Sequence, residues 1–235
     1  MFDVAYFLQT ITSEYKGLQA ATCGSITYIR TYKCASSLFY LNLIENYGWK
    51  SIPINQINWN GKVFSHIRNP IDRRHRGLAH YIYHNHPKIL DNPEIFEVML
   101  DIPFVDSHSE SYYSALGEYC YKIDWIPIDY YSNDLVVKLT TMLLNHSGQI
   151  LLSGLDQTYQ NSSNDEEKLI YEKIKTHFDF TWKQNLKNNI YRNFAFDRYF
   201  QKDLILYKDI IENFNPNGTN WPETSWLKKY ENKIN

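Results

Sequence analysis

Ile26-Thr27-Tyr28-Ile29-Arg30-Thr31-Tyr32-Lys33-Cys34-Ala35-Ser36-Ser37-Leu38 decides the architecture. Its first part is short, β-branched and aromatic, which predicts a buried strand over 25–32. A polar turn with a lysine and paired hydroxyls follows. Leu38, Leu41, Leu43 and Ile44 then recur at helical spacing, and Gly48 stands where a helix over 36–47 would end. Val63-Phe64-Ser65-His66-Ile67-Arg68-Asn69-Pro70-Ile71-Asp72-Arg73 repeats the plan, with two arginines around a proline. Such strand-to-helix turns make anion sites, because backbone N–H groups and the helix dipole point at whatever sits there. Two in succession suit a ligand with phosphate groups at both ends.

Outward from these segments the alternation continues. A short strand is expected over 51–54, a turn at Asn58-Trp59-Asn60-Gly61 and a strand over 63–67. Helices are expected over 73–83, from Asn92-Pro93-Glu94 to Leu100, and over 109–119. A strand over 123–128 carries Pro127, whose missing N–H places its last stretch outside the ladder. Helices over 132–144, 168–177 and 197–214 follow, with a polar loop over 153–167. Residues 1–24 read as a lead-in with one short helix over 4–11, and residues 215–235 as an irregular tail. Strands alternating with helices imply one α/β domain over residues 1–235: a three-layer, mostly parallel sheet flanked by helices. Ligands of such folds sit at the carboxyl ends of the strands, where both turns lie.

The chain has 235 residues, of which 43% are hydrophobic, enough for one sizeable core. A net charge of -2 argues against a broadly cationic nucleic-acid binder. Locally, Lys62, Arg68, Arg73, Arg74 and Arg76 fall close together, with His66 and His75 among them; the cluster is either a solvated basic face or part of an anion site. Three widely spaced cysteines, Cys23, Cys34 and Cys120, argue against a disulfide framework and a zinc ribbon. With no basic leader and no apolar run of membrane length, a reducing, cytoplasmic setting without a membrane span is the expectation. Three glycosylation sequons, at Asn145, Asn161 and Asn217, are then read as chance.

The first turn lacks the two glycines of a Walker motif. Small Ala35 and Ser36 still let the backbone approach an anion. Ser36 and Ser37 can cap the helix and donate to phosphate oxygens, and Lys33 can neutralise charge on a leaving oxygen. An N-capped helix with an incidental lysine would read the same way.

Tyr32-Lys33-Cys34-Ala35-Ser36-Ser37 resembles the phosphosulfate loop of the P-loop-like sulfotransferases, whose donor is 3'-phosphoadenosine 5'-phosphosulfate (PAPS). Lys33, Ser36 and Ser37 match the loop's lysine and hydroxyls; Ala35 stands for its glycine and Tyr32 for its proline. Arg68-Asn69-Pro70-Ile71-Asp72-Arg73 resembles the same family's 3'-phosphate motif, with Asn69 in place of Asp and Arg76 in place of its serine. Val105-Asp106-Ser107-His108 resembles the Asp-x-His segment of the carbohydrate-type enzymes. Asp129-Tyr130-Tyr131 stands where that family often has a glutamate. Phe200 to Tyr207 resembles a Tyr-x-x-Asp-x-x-x-Tyr helix. The resemblance implies a P-loop NTPase-like fold and sulfuryl transfer from PAPS to a hydroxyl of a carbohydrate or glycolipid. Cofactor contacts would come from Lys33, Cys34, Ala35, Ser36, Ser37, Arg68, Arg73 and Arg76. Lys33 would stabilise the leaving phosphate, His108 would be the base and Glu45 the reserve base.

This chemistry needs no metal, and none is expected. His80 and His84 are spaced i, i+4, which permits metal binding, but no Glu lies between them as in H-E-x-x-H. A catalytically inactive nucleotide- or glycan-binding protein on the same scaffold is the alternative. A magnesium-dependent phosphoryl transferase is disfavoured by the missing Walker aspartate. Neither the acceptor nor the oligomeric state is legible in the sequence.

Overall fold

Ile26, Tyr28 and Ile29 are at most 1% exposed. A strand so deeply buried belongs inside a sheet that is covered on both faces. The computed structural model, which describes residues 18–85, 88, 91–93, 96, 100, 108–129, 140, 164–188 and 195–213, places it there. The strands are β1 (Gln19–Cys23), β2 (Ile26–Arg30), β3 (Lys50–Pro53), β4 (Lys62–Ile67) and β5 (Asp124–Pro127), in the order β3-β1-β2-β4-β5. β2, β4 and β5 pair in parallel, whereas β1 is antiparallel to both β2 and β3. The chain is therefore α/β with a mixed sheet rather than the mostly parallel one expected.

The difference comes from β1, which the sequence reading leaves in the lead-in. Ala20 and Ala21 have weak strand propensity. They form a strand because β1 folds back from β2 over Gly24-Ser25 and pairs on both edges. Both alanines are fully buried there. Pro127 also departs from expectation, since it pairs with Ile67 inside the ladder. A proline is tolerated because β5 is an outer strand of this sheet.

Helix α1 (Ser36–Leu41) follows β2 and continues as one π-helical stretch, Asn42–Asn46. The Asn42 side chain donates to the Leu38 carbonyl at 2.6 Å. Gly48, at φ 68°, takes the left-handed conformation that terminates helices, and the Trp49 N–H closes on the Leu43 carbonyl at 2.8 Å. Helix α2 (Pro70–Asn85) starts earlier than the apolar pattern suggests. Pro70 fits its first position, where no N–H is needed. Helix α3 (Tyr112–Leu116) runs on as a 3₁₀ turn, Gly117–Lys122. Helices α4 (Asp165–Asn188) and α5 (Ala195–Asn213) complete the described elements. The expected helices over 4–11 and 132–144 and the tail over 215–235 lie outside the described residues, apart from Thr140; of the loop expected over 153–167, residues 153–163 also lie outside them, while 165–167 form the first turn of α4, three residues before the helix expected from 168.

The described residues fall into two compact units. One draws on Leu18–Asn69, Leu116–Asn161 and Ile205–Asn235, the other on Pro70–Ala115 and Ser162–Leu204. The first holds the sheet and a core of Tyr28, Phe39, Leu43, Trp49, Phe64 and Ile126. The second is helical, with Leu78, Ala79 and Ile82 of α2 in one core with Ile170 and Ile174 of α4. Among the described residues no helix is long and apolar enough to cross a membrane.

Candidate functional site

The turn after β2 is shaped by its backbone. Lys33 (φ 61°) and Ala35 (φ 55°) both adopt the left-handed conformation, which costs an L-residue roughly 1–2 kcal/mol. Glycine would bear that conformation without cost, and Ala35 stands where the resembled loop has glycine. Ala35, not a serine, is the N-cap of α1, and no side chain caps it. Ser36 is the first helical residue and is buried, Ser37 and Lys33 are half-buried, and Cys34 is fully buried. The turn is pinned from below. Thr31 Oγ1 donates to the His66 carbonyl at 2.6 Å, and Ser65 Oγ donates to the Ile29 carbonyl at 2.7 Å. These buried hydroxyls lock the carboxyl ends of β2 and β4 together.

The turn after β4 already holds an anion, the chain's own. Asp129 accepts from the Asn69 N–H and, at 2.9 Å, from the Tyr207 hydroxyl. Arg68 lies 3.4 Å from its other oxygen. On α5, Tyr207 holds Asp129, and Asp203 binds the start of α3.

The remaining predicted residues have other surroundings. Arg73 is 2% exposed, donates to the Glu110 carbonyl and stacks on Tyr112 at 4.5 Å. Arg76 donates to Asp72 at 2.8 Å and lies over the Tyr171 ring. His108 is half-buried, with its ring 4.8 Å from that of His80. Glu45 is exposed on the π-helical stretch. Of the basic residues, Lys62 and Arg68 stand at opposite ends of β4, roughly 20 Å apart. Arg74 is buried and donates to the Leu100 carbonyl. Burial holds His66 and His75 neutral, with their pKa values lowered to about 3.

Comparison of the chain with protein-family models, with curated proteins and with solved structures finds no match.

Two buried polar assemblies escape the sequence reading. Behind the turns, the His66 ring lies 3.1 Å from the Tyr28 hydroxyl and 2.9 Å from the Thr140 hydroxyl, and it stacks on Phe39. Alternation along β4 could have marked His66 as inward-facing, but nothing local names its partners. The second assembly is Asp203, which is fully buried and accepts the Tyr112 and Tyr113 N–H groups, each at 2.8 Å. Burial pushes its pKa up to about 7, against the opposing pull of those N–H groups and of Arg73.

A pH dependence follows. Folded Asp203 keeps a proton between its ordinary value of 3.8 and about 7, where the unfolded chain has lost it. Its contribution to stability therefore falls as pH rises through that window. Asp124, raised to about 6 by burial, acts in the same direction. His66 and His75 act oppositely, because the unfolded chain binds their protons first as pH falls below 6.5. Asp203→Asn removes one acidic contribution. Relative to the wild type, the variant's stability is expected to rise as pH goes from about 4 to about 7. Urea unfolding of both proteins across that range measures the difference. Parallel curves would show that Asp203 does not titrate there.

Proposed function

We propose that this chain binds PAPS on the turn after β2, within a P-loop NTPase-like α/β fold, and transfers its sulfuryl group to a hydroxyl of a carbohydrate or glycolipid. The reading is carried by the left-handed backbone at Ala35, at the glycine position of the resembled loop, with Lys33 and Ser37 beside it at the carboxyl end of a parallel strand. In the transfer the acceptor oxygen attacks sulfur, and the sulfur–oxygen bond to the 5'-phosphate breaks. The acceptor's proton goes to a base, and Lys33 stabilises the charge left on the phosphate. The resemblance assigns the base to His108, with Glu45 in reserve. Arg68 is the residue assigned to the 3'-phosphate.

A second reading has an observation of its own. Asp129 occupies Arg68 and the Asn69 N–H, so a 3'-phosphate would have to compete with a resident carboxylate. That favours a nucleotide- or glycan-binding protein without transferase activity.

Thermal unfolding with 3'-phosphoadenosine 5'-phosphate, with Mg-ATP and with neither, followed by a sulfate-transfer assay over a panel of glycans, tests both. A ligand at 100 times its Kd stabilises the fold by about 2.7 kcal/mol, a readily measured shift. Stabilisation by the bisphosphate together with transfer is expected. Absence of transfer, with or without stabilisation by the bisphosphate, supports the second reading, and stabilisation by Mg-ATP but not by the bisphosphate defeats the first.

A further inference from the structure

The sequence offers His80 and His84 one helical turn apart but no carboxylate between them. The fold supplies one from elsewhere. Glu167 lies in the first turn of α4, and its Oε2 is 3.4 Å from His80 Nδ1. Candidate ligand atoms of His80, His84 and Glu167 all lie within 4.8 Å of one another.

We propose that His80, His84 and Glu167 form a binding site for a divalent transition-metal ion of the zinc class. The donor set of two imidazoles and one carboxylate suits zinc, with a fourth position left to water. The distances fit. Metal–ligand bonds of about 2.1 Å set ligand atoms about 3.4 Å apart in a tetrahedron, the spacing of His80 Nδ1 from Glu167. The same two atoms share a long hydrogen bond, which an ion between them would replace. The His80 and His84 ring centres are 4.3 Å apart, and His84 is exposed, so its ring can turn to close the set.

The backbone beneath the site is well supported. Ala79 and Ile82 of α2 share a core with Ile170 and Ile174 of α4, and Asn164, just before α4, donates to the Tyr83 hydroxyl at 2.7 Å. In the same turn of α4, Asp165 is already paired with Lys168 at 2.9 Å. The Glu167 side chain is only 12% exposed, so its position is fixed by packing before any ion arrives. An ion here would tie α2 to α4 and stands independent of sulfuryl transfer.

The test is titration of the full chain, free of any histidine tag, with Co²⁺, whose tetrahedral complexes absorb in the visible. One equivalent of Co²⁺ should bind with ligand-field bands that Zn²⁺ displaces. His84→Ala and Glu167→Gln should each weaken binding by about 100-fold or more. Circular dichroism checks that both variants keep the fold, and His84 is exposed enough that its loss leaves packing intact. Absence of saturable binding to the wild type, or wild-type affinity in either folded variant, overturns the site.

Discussion

Gly77→Ala is expected to destabilise the protein by about 3 kcal/mol or more, read as a fall in the urea midpoint. In an ordinary helix interior the same change would stabilise by roughly 1 kcal/mol, since alanine is the better helix former. Here a Cβ on residue 77 would lie 2.3 Å from the His108 carbonyl oxygen, 2.5 Å from its carbon and 2.7 Å from the Ser109 nitrogen. All three atoms are backbone, so no side chain can swing aside. Either α2 or the 108–109 segment must move. That segment leads into Glu110, whose carbonyl takes the Arg73 guanidinium, and into α3, whose first N–H groups bind Asp203. The clash therefore outweighs the helix gain. Gly48→Ala is the control. It meets nothing within 4 Å, and its cost is limited to the left-handed backbone, about 1 kcal/mol. Equal losses for the two variants would show that chain packing against Gly77 is not what matters.

Lys33→Ala is expected to lower sulfuryl transfer by about 10²- to 10³-fold. The effect belongs to the proposed function, because lysine's charge would act on the leaving phosphate in the transition state. The fold should be nearly unaffected. Lysine and alanine bear the left-handed backbone at position 33 at similar cost. The informative result is a fall in kcat with a small change in melting temperature. Turnover near that of the wild type would remove the turn after β2 from the chemistry and leave the nucleotide-binding reading to stand alone.

Much of the architecture was legible because periodicity is local. The runs at 26–30 and 62–67 are apolar and β-branched, and they are the central parallel pair. Gly48 past α1 and Pro70 at the head of α2 could be read one residue at a time. β1 could not, because two alanines become a strand only when β2 and β3 close on either side of them. The site residues show the same division. The positive φ at Ala35 belongs to the turn itself, since backbone conformation is dictated nearby. The surroundings of Arg73, Arg68 and His80 are set by Glu110, Asp129 and Glu167, from 37 to 87 positions away. No spacing rule reports them. For that reason the arginines read as one basic cluster, and the two histidines on α2 read as a pair without a carboxylate.

The last described helix has a consequence for how the chain is made. Asp203 meets N–H groups that precede it by 90 and 91 residues, and Tyr207 meets Asp129 across 78. A ribosome delivers those partners long before it delivers α5. Until then, the first N–H groups of α3 lack the carboxylate that receives them, and Asp129 holds its turn without the tyrosine. Segments that belong to one compact unit emerge separated by segments of the other. Folding during synthesis therefore has a late closing step, and an interrupted nascent chain exposes polar groups and unpacked apolar surface that the finished one conceals.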